Sequence, residues 1–203
     1  MNKKLLIAIG AFVFIIVISF SLIKDQTEVS PVIQTDISPG TDIDERASEI
    51  VGYVSNAKNL AYTIEGQQLQ LQNGYAESAV APDSAIKIIT RYFGNELLTD
   101  LDGDGDDDVA LIITQESGGT GTFYYAAAAL QTPEGYVGSD AYYLGDRIAP
   151  QPTTASPNSA QPQVVVFNFA DRAPGEPMTT PPSIGKSVYL EINPQTNTWV
   201  VVE

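Results

Sequence analysis

The stretch "LLTDLDGDGDDDVALIIT", residues 97–114, places six aspartates between Asp100 and Asp108 and follows them at once with an apolar, β-branched run. The run reads as a buried strand. The aspartates read as a loop that needs a reason to stay closed. Neighbouring carboxylates about 6 Å apart repel by roughly 0.7 kcal/mol per pair even at the dielectric of water. An ordinary solvated turn uses one or two aspartates. Here the spacing is that of a cation loop.

Counted from Asp100, Asp102 and Asp104 fall at positions 3 and 5, Gly105 at 6, Asp106 at 7 and Asp108 at 9. Ca²⁺ takes six to eight oxygens in a flexible shell, and such a loop can supply carboxylates at 1, 3, 5 and 9 and a backbone carbonyl at 7. Asp107 is expected to face solvent. Position 12 is Leu111, not the Glu of an EF-hand, and the exiting segment is a strand, not a helix. Asp108 is expected to supply both of its oxygens instead, with waters completing the shell. The expected metal ligands are therefore Asp100, Asp102, Asp104, Asp106 and Asp108, around one structural Ca²⁺. Mg²⁺ demands stricter octahedral geometry.

"DLDGDGDDDVALII" resembles the calcium loops of FG-GAP repeats in integrin α-chain propellers, where the loop joins two strands. The likeness covers about 14 residues, and one copy does not imply a propeller. From about Leu60 to the end, "LTDLDGDGDDDVALII", "GGTGTFYYAAAAL", "YYLGDRI" and "GEPM" occur in an order that resembles an uncharacterised bacterial envelope domain found after signal peptides. That likeness implies a β-domain in an exported setting and carries no activity.

The N-terminus points the same way. Lys3 and Lys4 precede an uncharged apolar run from Leu5 to Ile23. Nineteen residues at about 1.5 Å each span roughly 28 Å, the hydrocarbon thickness of a bilayer. Residues 1–24 are expected to be a transmembrane signal-anchor with a cytoplasmic N-terminus. The rival reading is a signal peptide cleaved after Ser21, which would leave a secreted or periplasmic protein. Residues 25–203 hold 7 basic and 25 acidic side chains, a net −18.

Residues 25–41 carry two Ser-Pro pairs and no period, and read as a flexible linker. Residues 42–59 place Ile43, Ala47, Ile50, Val51 and Val54 at helical spacing after an acidic first turn, which predicts a short amphipathic helix. Residues 60–203 alternate or run apolar in short segments, including "QQLQLQNGYA", "SAIKIITRYF", "TFYYAAAAL", "DAYYLG", "QVVVFNF", "SVYLEI" and "TWVVVE". Gly, Pro, Asn and Asp separate them. The pattern predicts a mainly β fold, a single antiparallel β-sandwich or open barrel. Ile86, Ile88, Thr90 and Tyr92 are expected on one face of their strand. "APQPTTASPNSAQP", 149–162, reads as a surface loop with an edge strand.

Composition excludes several functions. The 203-residue chain has 10 Lys+Arg against 25 Asp+Glu, too acidic to displace phosphate counterions, so no nucleic-acid partner is expected. It has no Cys and no His, which removes disulfides, thiolate chemistry and the commonest general base. "SGGTGT" lacks a Lys and a following helix, and reads as an inter-strand connection, not a phosphate cradle. Tyr124, Tyr125, Tyr142 and Tyr143 read as core and cross-strand pairs, or as a surface patch for a glycan or peptide. Asp146-Arg147 and Asp171-Arg172 read as local ion pairs or turn residues. The expected function is a non-enzymatic envelope or partner-binding domain on the membrane. The alternative is a secreted, carboxylate-dependent enzyme acting on glycans.

Overall fold

The structure, a computed structural model, describes residues 41–81 and 83–203. The expected membrane segment and the linker up to residue 40 lie outside the described residues. Among the described residues no helix is long and apolar enough to cross a membrane.

The fold is mainly β, with antiparallel sheets and one short helix. Helix α1 is Thr41–Ala57. A hairpin follows, β1 (Ala61–Ile64) with β2 (Gln67–Gln70). The larger sheet has the order β3 (Tyr75–Ala79), β4 (Lys87–Thr99), β5 (Asp108–Glu116), β6 (Phe123–Thr132), β7 (Gly135–Gly138). Strand β8 (Tyr142–Asp146) shares the free edge of β6 with β7: one pairs with Phe123–Ala126, the other with Ala129–Thr132. The second sheet has the order β10 (Thr154–Ala155), β11 (Val165–Asp171), β12 (Ile184–Asn193), β13 (Thr198–Val201), with β9 (Ala149–Pro150) also on β11. The Pro-rich segment thus contributes two very short edge strands, where a missing N–H costs least.

Strands β5 and β6 are buried on both faces. Ala110, Ile112, Ala126, Ala128 and Leu130 share one core with Val165, Phe167, Phe169, Leu190, Ile192 and Trp199 of the second sheet. Val109, Leu111, Ile113, Tyr125, Ala127 and Ala129 share another with Tyr62, Ile64, Leu69 and Leu71 of the hairpin region and with Tyr53 and Ala57 of α1. This is why "VALIIT" and "AAAAL" run apolar without alternation.

Three expectations need correction. The helix forms, but its apolar stripe is not a packed face: Ala47, Ile50 and Val51 are exposed, because the core takes up only its last turns from Tyr53. Ile86 is exposed, because β4 begins one residue later; Thr90 is buried and Ile88 and Tyr92 are half-buried. Strand β4 also continues past Phe93 to Thr99. Its register shifts around Gly94, and Gly94 and Asn95 have φ of 105° and 61°, which lets the strand bulge and go on. Asn95 Nδ2 donates to Gln151 O (2.6 Å) and Thr153 Oγ1 (3.1 Å), tying this bulge to the Pro-rich segment.

Gly138, at the end of β7, marks a close approach. A Cβ there would lie 2.2 Å from the Ala61 carbonyl oxygen. The same crossing is bonded on either side, Thr63 N–H to Ser139 O and Ala141 N–H to Thr63 O. Gly138→Ala is expected to destabilise the domain by about 3 kcal/mol in chemical denaturation, since the neighbour is backbone and must move. Gly185→Ala, which meets nothing within 4 Å, is the control and should change stability little.

Candidate metal centre

The aspartate loop connects β4 to β5, and Thr99 pairs with Asp108 at its base. Gly103 and Gly105 have φ of 84° and 98°. Gly105 has open space around it, so conformation, not crowding, requires glycine there. Across residues 100–106 the aspartates bend the chain onto themselves. Asp100 Oδ1 accepts from Gly103 N–H (2.7 Å), Asp102 Oδ1 from Asp104 N–H (3.2 Å) and Asp104 Oδ1 from Asp106 N–H (2.9 Å). These are turns built by side-chain oxygens.

Two residues fix the loop to the domain. Leu101 is fully buried in the core between the two sheets. Asp108 is also fully buried, and both its oxygens are in use: Oδ2 accepts from Leu101 N–H (2.9 Å) and Oδ1 from Gln131 N–H (2.8 Å). Asp108 therefore closes the loop and ties it to the end of β6. The sequence reading missed Leu101. Its signal was an apolar residue alone between two aspartates, directly after a strand.

Of the five expected ligands, the fold brings three together. One carboxylate oxygen each from Asp100, Asp102 and Asp108 lie within 4.8 Å of one another, a group that could hold a metal ion. Asp100 and Asp102 are half-buried. Asp104 and Asp106 are exposed and lie outside the group, and Asp107 faces solvent as expected. A carboxylate oxygen has two lone pairs, so one N–H bond leaves it able to ligate. Burial pushes the Asp108 carboxyl up to about 6, against the pull of its two backbone bonds, and the Asp102 and Asp104 charges add to the rise. Asp102 is raised as well, chiefly by burial.

The other singled-out residues have structural partners. "SGGTGT" joins β5 to β6. Asp146 pairs with Arg147 (2.7 Å). Asp171 pairs with Lys186 (2.6 Å), not with Arg172, whose guanidinium donates to the Thr180 and Arg147 carbonyls. Tyr125 is buried, Tyr124 and Tyr142 are half-buried and Tyr143 is exposed. No family model, curated protein or solved structure matches the chain.

Two outcomes are expected in chelator. Asp108→Ala strands one buried N–H group, of Leu101, and one half-buried, of Gln131, and should cost about 3 kcal/mol, whereas Asp104→Ala should cost less than about 0.5 kcal/mol. The raised Asp108 pKa means that the folded protein binds more protons than the unfolded one between about pH 4 and 6, so stability falls as pH rises through that window. Lowering the pH from 7 to 5 should therefore raise stability by about 1 kcal/mol. Asp171 and Glu77, lowered by hydrogen bonds from Lys186 and Lys87, act in the opposite sense only below about pH 4. Denaturant melts at both pH values, with and without Asp108→Asn, check the assignment.

Proposed function

We propose that residues 100–108 bind one structural Ca²⁺ through Asp100, Asp102 and Asp108, in a membrane-anchored extracytoplasmic domain with a non-enzymatic envelope or partner-binding role. The observation that carries the reading is the convergence of three carboxylates within 4.8 Å. Charges at that distance repel by about 0.9 kcal/mol per pair in water and by about 3.5 kcal/mol at an effective dielectric of about 20. None of the four ion pairs among the described residues involves them. A hard divalent cation supplies the missing charge, and loop carbonyls and water complete its shell. Asp104 can join by giving up its bond to Asp106 N–H.

The preference for Ca²⁺ rests on the loop. Its carboxylates are held by turns of its own backbone, an irregular frame that suits a flexible shell better than a strict octahedron. Extracellular sites of this kind bind at about 10⁻⁴ to 10⁻³ M, so millimolar Ca²⁺ suffices. The ion's work is to order a connection between two core strands. In this reading the two sheets that share a core are the layers of a sandwich, and the run Leu5–Ile23 anchors it.

Titrating Ca²⁺ into the chelator-stripped full chain in detergent should raise Tm saturably. At ten times Kd the gain is about 1.4 kcal/mol, or about 3–6 °C for a domain of this size. The double variant Asp100→Ala, Asp102→Ala should not respond. An unmoved parent Tm, or an equal response to Mg²⁺ at equal concentration, overturns the Ca²⁺ assignment. Protease added to intact cells should remove the domain from outside, and its protection there would overturn the location.

A further inference from the structure

The β1–β2 hairpin turns at Glu65-Gly66, between paired Ile64 and Gln67, with φ of 50° and 79°. Two positive φ angles are the I′ pattern, which favours Asn, Asp or Gly at its first position. The next hairpin uses that solution, Asn73-Gly74 at 51° and 79°, between Gln72 and Tyr75. Turn geometry alone gives no reason for a glutamate at position 65. Its side chain does: Tyr125 Oη donates to Glu65 Oε1 at 3.0 Å. A residue in an unfavourable conformation that aims a carboxylate is a pointer to use.

That carboxylate stands at a pocket of about 180 Å³ lined by Glu65, Ile88, Gln115, Ser117, Phe123 and Tyr125. The Tyr143 ring packs against Tyr125 (centroids 5.5 Å apart) and Phe123 (6.5 Å), which holds both rings in place. Gln115 gives its amide N–H to Thr90 Oγ1 (3.1 Å), so its carbonyl oxygen is the acceptor it has left for the pocket it lines. Glu65 takes part in none of the ion pairs among the described residues. The pocket therefore offers a carboxylate, an amide oxygen, a hydroxyl and aromatic rings, and its lining has no cation.

We propose that this pocket binds a primary alkylammonium group, carried by a lysine side chain or a free alkylamine. The carboxylate and the Gln115 oxygen accept from the ammonium, the tyrosine and phenylalanine rings attract the cation, and Ile88 covers the methylenes. A pocket of about 180 Å³ that opens to solvent has room for a four-carbon ammonium arm. The net charge of −18 over residues 25–203 draws cations towards the domain.

The test is amide chemical-shift titration of the full chain in detergent with n-butylammonium and with Nα-acetyl-lysine methylamide. Saturable shifts are expected at Glu65, Gln115, Ser117 and Tyr125. Tighter binding of the lysine derivative would assign the pocket to a peptide, and equal binding to a free amine. Acetylating Nε, or using 1-butanol, should weaken binding at least tenfold. Glu65→Gln should do the same with Tm unchanged, because its amide oxygen still accepts from Tyr125. Ser117→Lys, which tethers an ammonium at the pocket, should abolish binding of the free amine. Equal affinity in Glu65→Gln, no saturable shift at the pocket, or binding of methyl glucoside in place of the amines would overturn the proposal.

Discussion

The structure depends on burying two antiparallel strands on both faces. An antiparallel sheet can ordinarily leave one face to water. Strands β5 and β6 cannot, because residues 108–114 and 125–130 are all buried. Each face therefore needs its own cover. The second sheet supplies one, with Phe167 and Trp199 meeting edge to face at 5.7 Å. The β1–β2 hairpin and the end of α1 supply the other. The alanines of β6 bring little side-chain volume to either face, so the layers beside them can come close. At Gly138, where β7 passes β1, there is no room even for a Cβ, which would lie 2.2 Å from the Ala61 carbonyl oxygen.

Electrostatics plays a secondary part in holding the fold. The ion pairs Lys87–Glu77 and Arg91–Glu116 are about half exposed, and such pairs contribute little. Buried polar groups do more. Ser139 Oγ accepts from Ala128 N–H and donates to the Asp140 carbonyl, so the crossing of β1 past β7 leaves no orphan there. Tyr62, in β1 of the hairpin, donates to the Ala57 carbonyl at the end of α1. Such bonds fix how the covering layer sits on the central strands.

The central strands were legible because "VALIIT" and "AAAAL" are short apolar runs bounded by turn residues. Which layers cover them was not, since a run without alternation does not say what lies on either side. The C-terminal strands were legible from "SVYLEI" and "TWVVVE". Strand β7, "GYVG", was not legible, because Gly138 answers to a close approach that only the fold creates and Gly135 to a positive φ at the turn. The β4 bulge was hidden because the positive φ angles at Gly94 and Asn95 shift the register inside one continuous strand. In the loop, spacing placed the aspartates correctly along the backbone. It could not tell which carboxylates turn inward: of the five expected ligands Asp100, Asp102 and Asp108 converge, while Asp104 and Asp106 are exposed. Nor could it show that Leu101 pins the loop from within.

Asp108 answers to two masters. One is the core, which needs an acceptor for the Leu101 and Gln131 N–H groups. The other is the cluster of carboxylates at the surface. A descendant of this chain that no longer met a cation would still be held to an acceptor at 108, while Asp104 and Asp106 could drift. The inner end of the loop would thus outlast its outer rim, and a lone buried aspartate at the base of a β-hairpin would be the trace of a site that had gone.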